Sequence, residues 1–204
     1  MLTLPDLCRI YTDHLTVALT QPYVPGYLAF REVPHYLQLI DRVRSTPNSP
    51  SVVLVDGSGL LHPRRVGSAC HLGVLANIAT VGVAKNLLLV EGGCTREQVQ
   101  HTLRDLWELP DASVDVSWLQ LPDGVDLPPT CRVAPLYAEG APRELLGAAV
   151  SVARGQRPVF VSVGHLVSLG TAVWLVVQCC RHRVPEPVRH ADMQSSSVLR
   201  GLDA

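Results

Sequence analysis

A short apolar run that ends on a single carboxylate is the feature that most restricts the fold of this chain. Residues 52–55 (VVLV) are all apolar and mostly β-branched, which is typical of a parallel strand covered on both faces. The run stops at Asp56, and Gly57 and Gly59 follow it. In open α/β sheets, ligands bind at the carboxyl ends of such strands, which makes Asp56 a candidate functional group.

The spacing of apolar residues predicts further helices and strands along the chain. The predicted helices cover residues 30–44 (with Pro34 in the first turn), 68–75, 95–107 and 168–181, and the predicted strands cover 15–19, 52–55, 80–85 and 158–163. Thr95 and Gln98 have the spacing of a capping box. The alternation of strands and helices indicates an α/β domain.

Two stretches are predicted to be irregular. Residues of about 108–145 are rich in proline, aspartate and turn residues, and residues 193–204 form a polar stretch that we expect to be a flexible tail. One domain should therefore span residues 1–192, with the first stretch as an insertion. The apolar stretch 159–180 is as long as a membrane span, which needs about 20 residues. Polar and glycine residues interrupt it, which favours a buried strand followed by a helix over a span.

Composition excludes a strongly basic chain. The 204 residues carry a net charge of −1, so any contact with nucleic acid must come from a local patch. The six cysteines form no Cys-x-x-Cys pair and no zinc-finger spacing. The first 15 residues do not resemble a secretory leader, and we therefore expect a reduced intracellular compartment.

Four residues with catalytic side chains each follow a predicted strand or lie at the start of a predicted helix: Glu32, Asp56, Lys85 and His165. Taken alone, Asp56 before glycine is more often a turn or cap residue. As a set, these side chains fit metal-assisted phosphodiester chemistry. Magnesium takes one or two carboxylates plus phosphate oxygens, a lysine pairs with phosphate charge, and a histidine moves protons near neutral pH.

Five segments together resemble the successive signature blocks of the endonuclease V family. They are PYVPGYLAFREVP, VLVDGSGLLHPRRVGSACHLGVL, TVGVAKN, VSVGHLVS and RVPEPVRHAD, in that order. The resemblance implies a ribonuclease H-like mixed sheet flanked by helices. It also implies a magnesium-dependent endonuclease that cuts the second phosphodiester 3′ of inosine, with single-stranded RNA as the expected substrate and DNA as the other candidate.

The resemblance assigns catalytic roles by matching position. It implies that Asp56 and Glu32 hold magnesium, that His165 is the active-site histidine, and that Lys85 lies near the phosphate. It further implies a monomer, free of membrane, in the cytoplasm and the nucleus or nucleolus.

The resemblance also assigns residues to nucleic-acid binding: Pro22, Tyr23, Val24, Pro25, Gly57, His62, Arg64 and Arg65. The first four resemble a wedge in which a rigid proline pair holds Tyr23 where it replaces a lost stacking neighbour. The alternative for Tyr23 is a partly buried loop aromatic. For Arg65, a solvated turn is as good an interpretation as a phosphate contact.

One expected ligand of the family has no match. An aspartate on an upstream strand shares the metal in the family, whereas only Asp6 and Asp13 precede Glu32 here. We therefore expect an N-terminally truncated form of the fold with weakened magnesium binding. Leu166 and Asn86 also replace the basic residues usual in the family. The alternative functions are an inosine-binding homologue with impaired catalysis, and a chain that does not fold alone.

Overall fold

A computed structural model describes residues 1–88, 93–110, 114–138 and 144–202 of the chain. Its elements in chain order are α1 (Leu28–Arg44), β1 (Val52–Asp56), α2 (Ser68–Ala76), β2 (Ala79–Ala84), α3 (Arg96–Glu108), β3 (Arg132–Ala138), β4 (Glu144–Ser151), β5 (Val159–His165), α4 (Leu169–Gln178) and α5 (Glu186–Leu202). The predicted α/β class is confirmed.

The described strands form one mixed sheet in the order β1-β2-β5-β4-β3. β1 and β2 are parallel, and the other neighbouring pairs are antiparallel. Asp56 pairs with Val83 near the end of β2, and Ala84 pairs with Phe160 near the start of β5. One end of the sheet therefore carries the carboxyl ends of β1 and β2 and the beginning of β5.

Helices cover both faces of this sheet. On one face, α4 and the start of α5 pack on a buried cluster that includes Val81, Val161 and Val173. On the other face, α1 and α2 pack on Val55, and α3 packs on Phe160. The apolar side chains at the centre of the sheet are thus excluded from water, which is the main source of stability for a fold of this type.

The helix ends follow local sequence signals. The Thr95 side chain accepts a hydrogen bond from the Gln98 backbone N–H, and the Gln98 side chain returns one, so the predicted capping box is confirmed. Ser168 caps α4 in a similar way. The prediction that Pro34 lies in the first turn of its helix is wrong. α1 begins at Leu28, so Pro34 lies further inside the helix.

Several predictions about segments are wrong. Residues 15–19 form no strand, because local alternation alone supplies no pairing partner. The predicted insertion contains a 3₁₀ turn at Ser117–Leu119 and strand β3, which tolerates Pro135 because it lies at the edge of the described sheet. Residues 193–202 continue α5 as a helix. Residues 111–113 and 139–143 of the predicted insertion, and 203–204 of the predicted tail, lie outside the described residues.

The apolar stretch 159–180 forms β5 and α4, as predicted. Within the described ranges, no helix combines the length and the apolar character that crossing a bilayer requires.

The capping box of α3 makes a stability prediction. Thr95→Ala removes the side-chain acceptor from the helix start and should lower the free energy of unfolding by about 1 kcal/mol. Thr102→Ala is the matched control, because Thr102 is an exposed residue within the same helix. Urea denaturation followed by circular dichroism measures both changes. Equal effects of the two substitutions would show that the capping box contributes nothing specific.

Candidate functional site

An ion-pair triad joins three elements at the carboxyl end of β1. Lys85 directly follows β2, and its Nζ lies 2.9 Å from Oδ2 of Asp56. The same ammonium donates a hydrogen bond to Oδ2 of Asp192 on α5. The side chains of Asp56 and Asp192 are 46% and 48% exposed, which leaves both carboxylates accessible to a ligand. Among the described residues, the Asp56 carboxylate accepts from Lys85 and from no backbone N–H of the following turn, so it does not cap that turn.

The protonation state of Lys85 follows from this environment. Partial burial lowers the pKa of Lys85, but hydrogen bonds to Asp192 and Asp56 and their negative charges outweigh it and raise the pKa overall. The ammonium thus stays charged at neutral pH. Two carboxylates converge on one positive charge at this point of the structure.

A third carboxylate lies close to the triad. Glu32 is on α1, and its Oε2 accepts a hydrogen bond from the Tyr36 hydroxyl at 3.3 Å. Burial raises the pKa of Glu32, the Tyr36 hydrogen bond and Arg31 oppose this, and the negative charge of Asp56 adds to the increase. Glu32 and Asp56 are therefore electrostatically coupled, and both line the same cavity.

This cavity has a volume of about 650 Å³ and lies between α1, the end of β1 and the start of α2. Glu32 and Asp56 supply its carboxylates, and Phe30 and His71 form an aromatic wall in edge-to-face contact at 5.1 Å. The volume falls within the range of small-molecule sites, roughly 300–1,000 Å³. The cavity, which we call the base cavity, is large enough for a planar heterocycle.

The PYVP segment separates two surfaces. Tyr23 and Pro25 line the base cavity, whereas Pro22 and Val24 line a second groove of about 350 Å³. Tyr23 is 66% exposed, so the alternative of a partly buried loop aromatic is wrong. The geometry is that of a thin partition with an exposed aromatic ring, and the role of Tyr23 as a wedge stays a prediction.

The loop between β1 and α2 is fixed to β5. The backbone N–H of Gly59 donates to Ser162 Oγ at 2.9 Å, and that of Leu60 donates to the Val163 carbonyl at 2.8 Å. These bonds hold Gly57 and His62 at the lining of the base cavity. Burial and the charge of Arg64 lower the pKa of His62, which favours its neutral form.

The two arginines of this loop have different surroundings. The Arg64 guanidinium stacks over the Tyr27 ring at 3.7 Å, donates to the Gly26 carbonyl and lines the base cavity. Arg65 instead forms an ion pair with Glu144 at 2.9 Å and does not belong to the cavity lining. Of the two, Arg64 is the one placed to meet a ligand in the cavity.

The structure does not bring His165 to this site. His165 pairs with Thr80, three residues before Val83, which pairs with Asp56. Since strands rise about 3.3 Å per residue, His165 lies roughly 10 Å from Asp56 along the strands and two strands away. It packs instead beside α2, where a Cβ at Gly73 would come within 2.3 Å of the His165 Cβ. The predicted convergence of His165 with Asp56 does not hold.

Asp192 is the residue of the triad that we did not assign from the sequence. The resemblance block RVPEPVRHAD contains it, and the acid at the end of that block is the signal that could have identified it. The two acids before Glu32 lie elsewhere. Asp13 pairs with Arg42 at 3.1 Å, and the backbone carbonyl of Asp6 accepts a hydrogen bond from Arg181.

The donor set fits a hard divalent cation. In the part of the chain that the structure describes, no three histidine, cysteine, aspartate or glutamate side chains lie close enough to form a complete metal site. Magnesium, however, usually takes one or two carboxylates and completes its shell with water and substrate phosphates. Asp56 and Asp192 converge on one positive charge and meet that requirement.

Comparisons with known proteins give one consistent answer. A sequence model of the family described as endonuclease V matches residues 1–193. Human endonuclease V is 40% identical over 203 residues, which cover 98% of this chain and 64% of the human protein. The mouse protein of the same name is also 40% identical and is covered over 53% of its length. The chain thus spans between half and two thirds of these relatives.

Solved structures agree with the sequence comparison. The catalytic domain of human endonuclease V gives a TM-score of 0.80 at 39% identity, with 98% of this chain and 73% of that chain covered. Endonuclease V of Ciona intestinalis, crystallised with a 24mer DNA containing an inosine followed by a ribo-adenosine, gives 0.81 at 34% identity, with 98% and 77% covered.

The loop that lines the base cavity makes a packing prediction. A Cβ at Gly59 would lie 2.0 Å from the Val163 carbonyl oxygen, whereas a Cβ at Gly57 would meet nothing closer than 3.6 Å. Gly59→Ala should therefore lower the free energy of unfolding by about 1–3 kcal/mol, and Gly57→Ala by less than about 0.5 kcal/mol. Thermal denaturation compares the pair. A Gly59→Ala variant as stable as Gly57→Ala would contradict the close packing of the loop on β5.

Proposed function

The chain belongs to the endonuclease V family, and we propose that it is a magnesium-dependent endonuclease acting on inosine-containing nucleic acid. The proposal includes cleavage at the second phosphodiester 3′ of inosine, with single-stranded RNA as the preferred substrate. The observation that carries it is that the carboxylates of Asp56 and Asp192 converge on the Lys85 ammonium beside the base cavity. By family resemblance, we place the protein as a monomer in the cytoplasm and the nucleus or nucleolus.

Asp56 and Asp192 are the residues that would hold the metal ion, with Glu32 nearby. When bound, magnesium polarises the scissile phosphate and lowers the pKa of a water molecule. Lys85 contributes a charge that stays positive at neutral pH, because both carboxylates raise its pKa. Its ammonium would pair with a phosphate oxygen of the substrate and stabilise the negative charge that grows there during the reaction.

Glu32 is the group best placed to accept a proton. Its carboxylate lies beside Asp56, and burial raises its pKa above that of an ordinary glutamate. A carboxylate with a raised pKa is a stronger base than one in water. The Tyr36 hydroxyl holds Oε2 of Glu32 in place by its hydrogen bond. We therefore assign to Glu32 the removal of a proton from the attacking water.

The base cavity is the proposed place of the modified base. Bases that an enzyme recognises out of their stack are held by aromatic contacts and hydrogen bonds to their edges. Phe30 and His71 provide the aromatic wall, and the exposed ring of Tyr23 lies at the cavity boundary, where it can stack on the neighbouring base. The inosine in the Ciona complex supports this choice of ligand by family relationship.

A second candidate function is a binder that recognises inosine but cuts poorly. The observation that favours it is that no third metal-ligating side chain joins a site with Asp56 and Asp192 among the described residues. Lys85 also occupies the position between these two carboxylates and competes with a metal for them. Retention of inosine-containing RNA without cleavage in the presence of magnesium would identify this function.

Substitution of the triad tests the proposed catalysis. Asp56→Asn and Asp192→Asn should each lower the rate of cutting an inosine-containing single-stranded RNA by roughly 100-fold, because each removes a charged ligand of the metal. His165→Ala should cut at about the rate of the unsubstituted protein. Product length on a denaturing gel, with magnesium present, measures both the rate and the position of the cut.

The matched control for these variants is Asp123→Asn, which removes an exposed carboxylate from a turn outside the base cavity. It should leave cleavage unchanged. A His165→Ala variant as slow as Asp56→Asn, with Asp192→Asn unaffected, would contradict the site described above. Equal rates on RNA with and without inosine would contradict the proposed substrate.

The pH dependence of cleavage tests the role of Glu32. Because its pKa is raised, activity should fall with decreasing pH at a higher pH than the usual glutamate pKa of about 4.3 would give. Tyr36→Phe removes a hydrogen bond that favours the charged form, so it should move this decline to still higher pH. Glu32→Gln should abolish the decline along with most of the activity. If activity declines at the same pH in Tyr36→Phe as in the unsubstituted protein, Glu32 is excluded as the base.

A further inference from the structure

A small, strongly basic crevice opens next to the triad. It has a volume of about 120 Å³, and four of its lining residues are cations: Lys85, Arg96, Arg157 and Arg183. Among the described residues that line it, none is acidic. We call it the phosphate crevice. In a chain with a net charge of −1, such a concentration of positive charge is a local feature that the overall composition does not explain.

The position of the phosphate crevice follows from the strand order. β1, β2 and β5 are neighbours, and the end of β1, the end of β2 and the start of β5 lie at the same end of the sheet. The base cavity adjoins Asp56 at β1, whereas Arg157 precedes β5. Lys85, whose ammonium pairs with Asp56, also lines the crevice, so the crevice begins beside the triad and extends toward the start of β5.

The crevice is fixed by backbone contacts. Arg183 donates to the carbonyls of Lys85 at 2.7 Å, Pro158 at 3.1 Å and Arg157 at 2.9 Å. Arg96 donates to the Leu87 carbonyl at 3.3 Å. The end of β2 and the start of β5 are thereby tied to each other by one guanidinium. The site is preorganised, which reduces the entropy lost when a ligand binds.

Like charges meet in the phosphate crevice. Burial lowers the pKa of Arg183, and the positive charge of Arg157 lowers it further. Both effects mean that a positive charge is held in an unfavourable environment. An anion between these guanidinium groups would relieve the repulsion, and arginine is well suited to phosphate because its planar donors match the geometry of phosphate oxygens.

We propose that the phosphate crevice binds backbone phosphate of the cleaved strand, on the side of the cut away from the base cavity. The inference rests on the proposed function and deepens it. The crevice, at about 120 Å³, is too small to hold a whole nucleotide with its base. The base cavity, at about 650 Å³, has more than five times that volume. Arg96 and Arg157 are the exposed members that would contact the strand.

A neighbouring groove extends the same path. A depression of about 340 Å³ shares Gln100, Arg157 and Pro158 with the phosphate crevice, and it adds Arg104 and Arg154. Arg154 forms an ion pair with Glu108, so Arg104 is the additional exposed cation of this groove that we expect to contact the strand. The strand would therefore pass from the base cavity across the triad to the crevice and then over α3.

The experiment measures strand binding without cutting. Every protein carries Asp56→Asn so that cutting is slow compared with the binding measurement, and magnesium is present throughout. Fluorescence anisotropy gives the affinity for an inosine-containing oligonucleotide over a range of salt concentrations, with Arg96→Gln, Arg157→Gln and the double variant. Arg9→Gln is the matched control, since Arg9 is exposed on the N-terminal segment, where it pairs with Leu2, and lines neither the base cavity nor the phosphate crevice.

The expected results are specific to phosphate contacts. Each single variant should weaken binding by roughly 3- to 10-fold and reduce the slope of log affinity against log salt by about 0.7, while Arg9→Gln changes neither. Two series of oligonucleotides, shortened from the 5′ or from the 3′ side of inosine, locate the contact. The effect of Arg157→Gln should disappear in only one series.

Three outcomes would overturn the inference. Variants that bind with unchanged affinity and salt slope, while the reference protein still prefers inosine, exclude the crevice but leave the proposed function standing. A reference protein with no preference for inosine overturns both. Inorganic phosphate binding that Arg157→Gln abolishes, with RNA binding unchanged, would assign the crevice to a free anion instead of the strand.

Discussion

The arrangement of the site depends on the two ion pairs that the Lys85 ammonium forms with Asp56 and Asp192. The ammonium brings the end of β1, the end of β2 and the first half of α5 to one point through contacts with Asp56 and Asp192. Partly exposed ion pairs of this kind contribute little to global stability. Their effect is local: without a cation between them, two carboxylates so close together would repel each other. The same geometry that needs Lys85 also suits a divalent metal.

The direction of each strand decides which side chains share the site. His165 and Asp56 both lie at the carboxyl ends of strands, and from the sequence these positions look equivalent. β1 and β2 are parallel, but β5 runs antiparallel to β2, so the carboxyl end of β5 lies at the opposite end of the sheet. Local patterns contain no information on strand direction. Asp192, far along the chain and on a helix, was missed for the related reason that only tertiary packing brings it to Asp56.

Elements with strong local signals were predicted well. The apolar stripe of α1, the continuous run of β1 and the capping box of α3 each specify their element without distant partners. β3 and β4 were missed because Pro135 interrupts one, and glycine and alanine dominate the centre of the other. Their strand character comes from pairing with each other and from packing against α3 and β5.

Strand order also explains how a chain close to neutral could hold a polyanion. The base cavity, the triad and the phosphate crevice follow one another along a single end of the sheet, at β1, β2 and β5. The core fixes the backbone that positions each of these three sites. The positive charge is therefore concentrated along one path, and the protein needs no excess of basic residues over its whole surface. Binding through so few cations would depend on salt only moderately, because the slope scales with the number of phosphates neutralised. Selectivity would then come mainly from the base cavity.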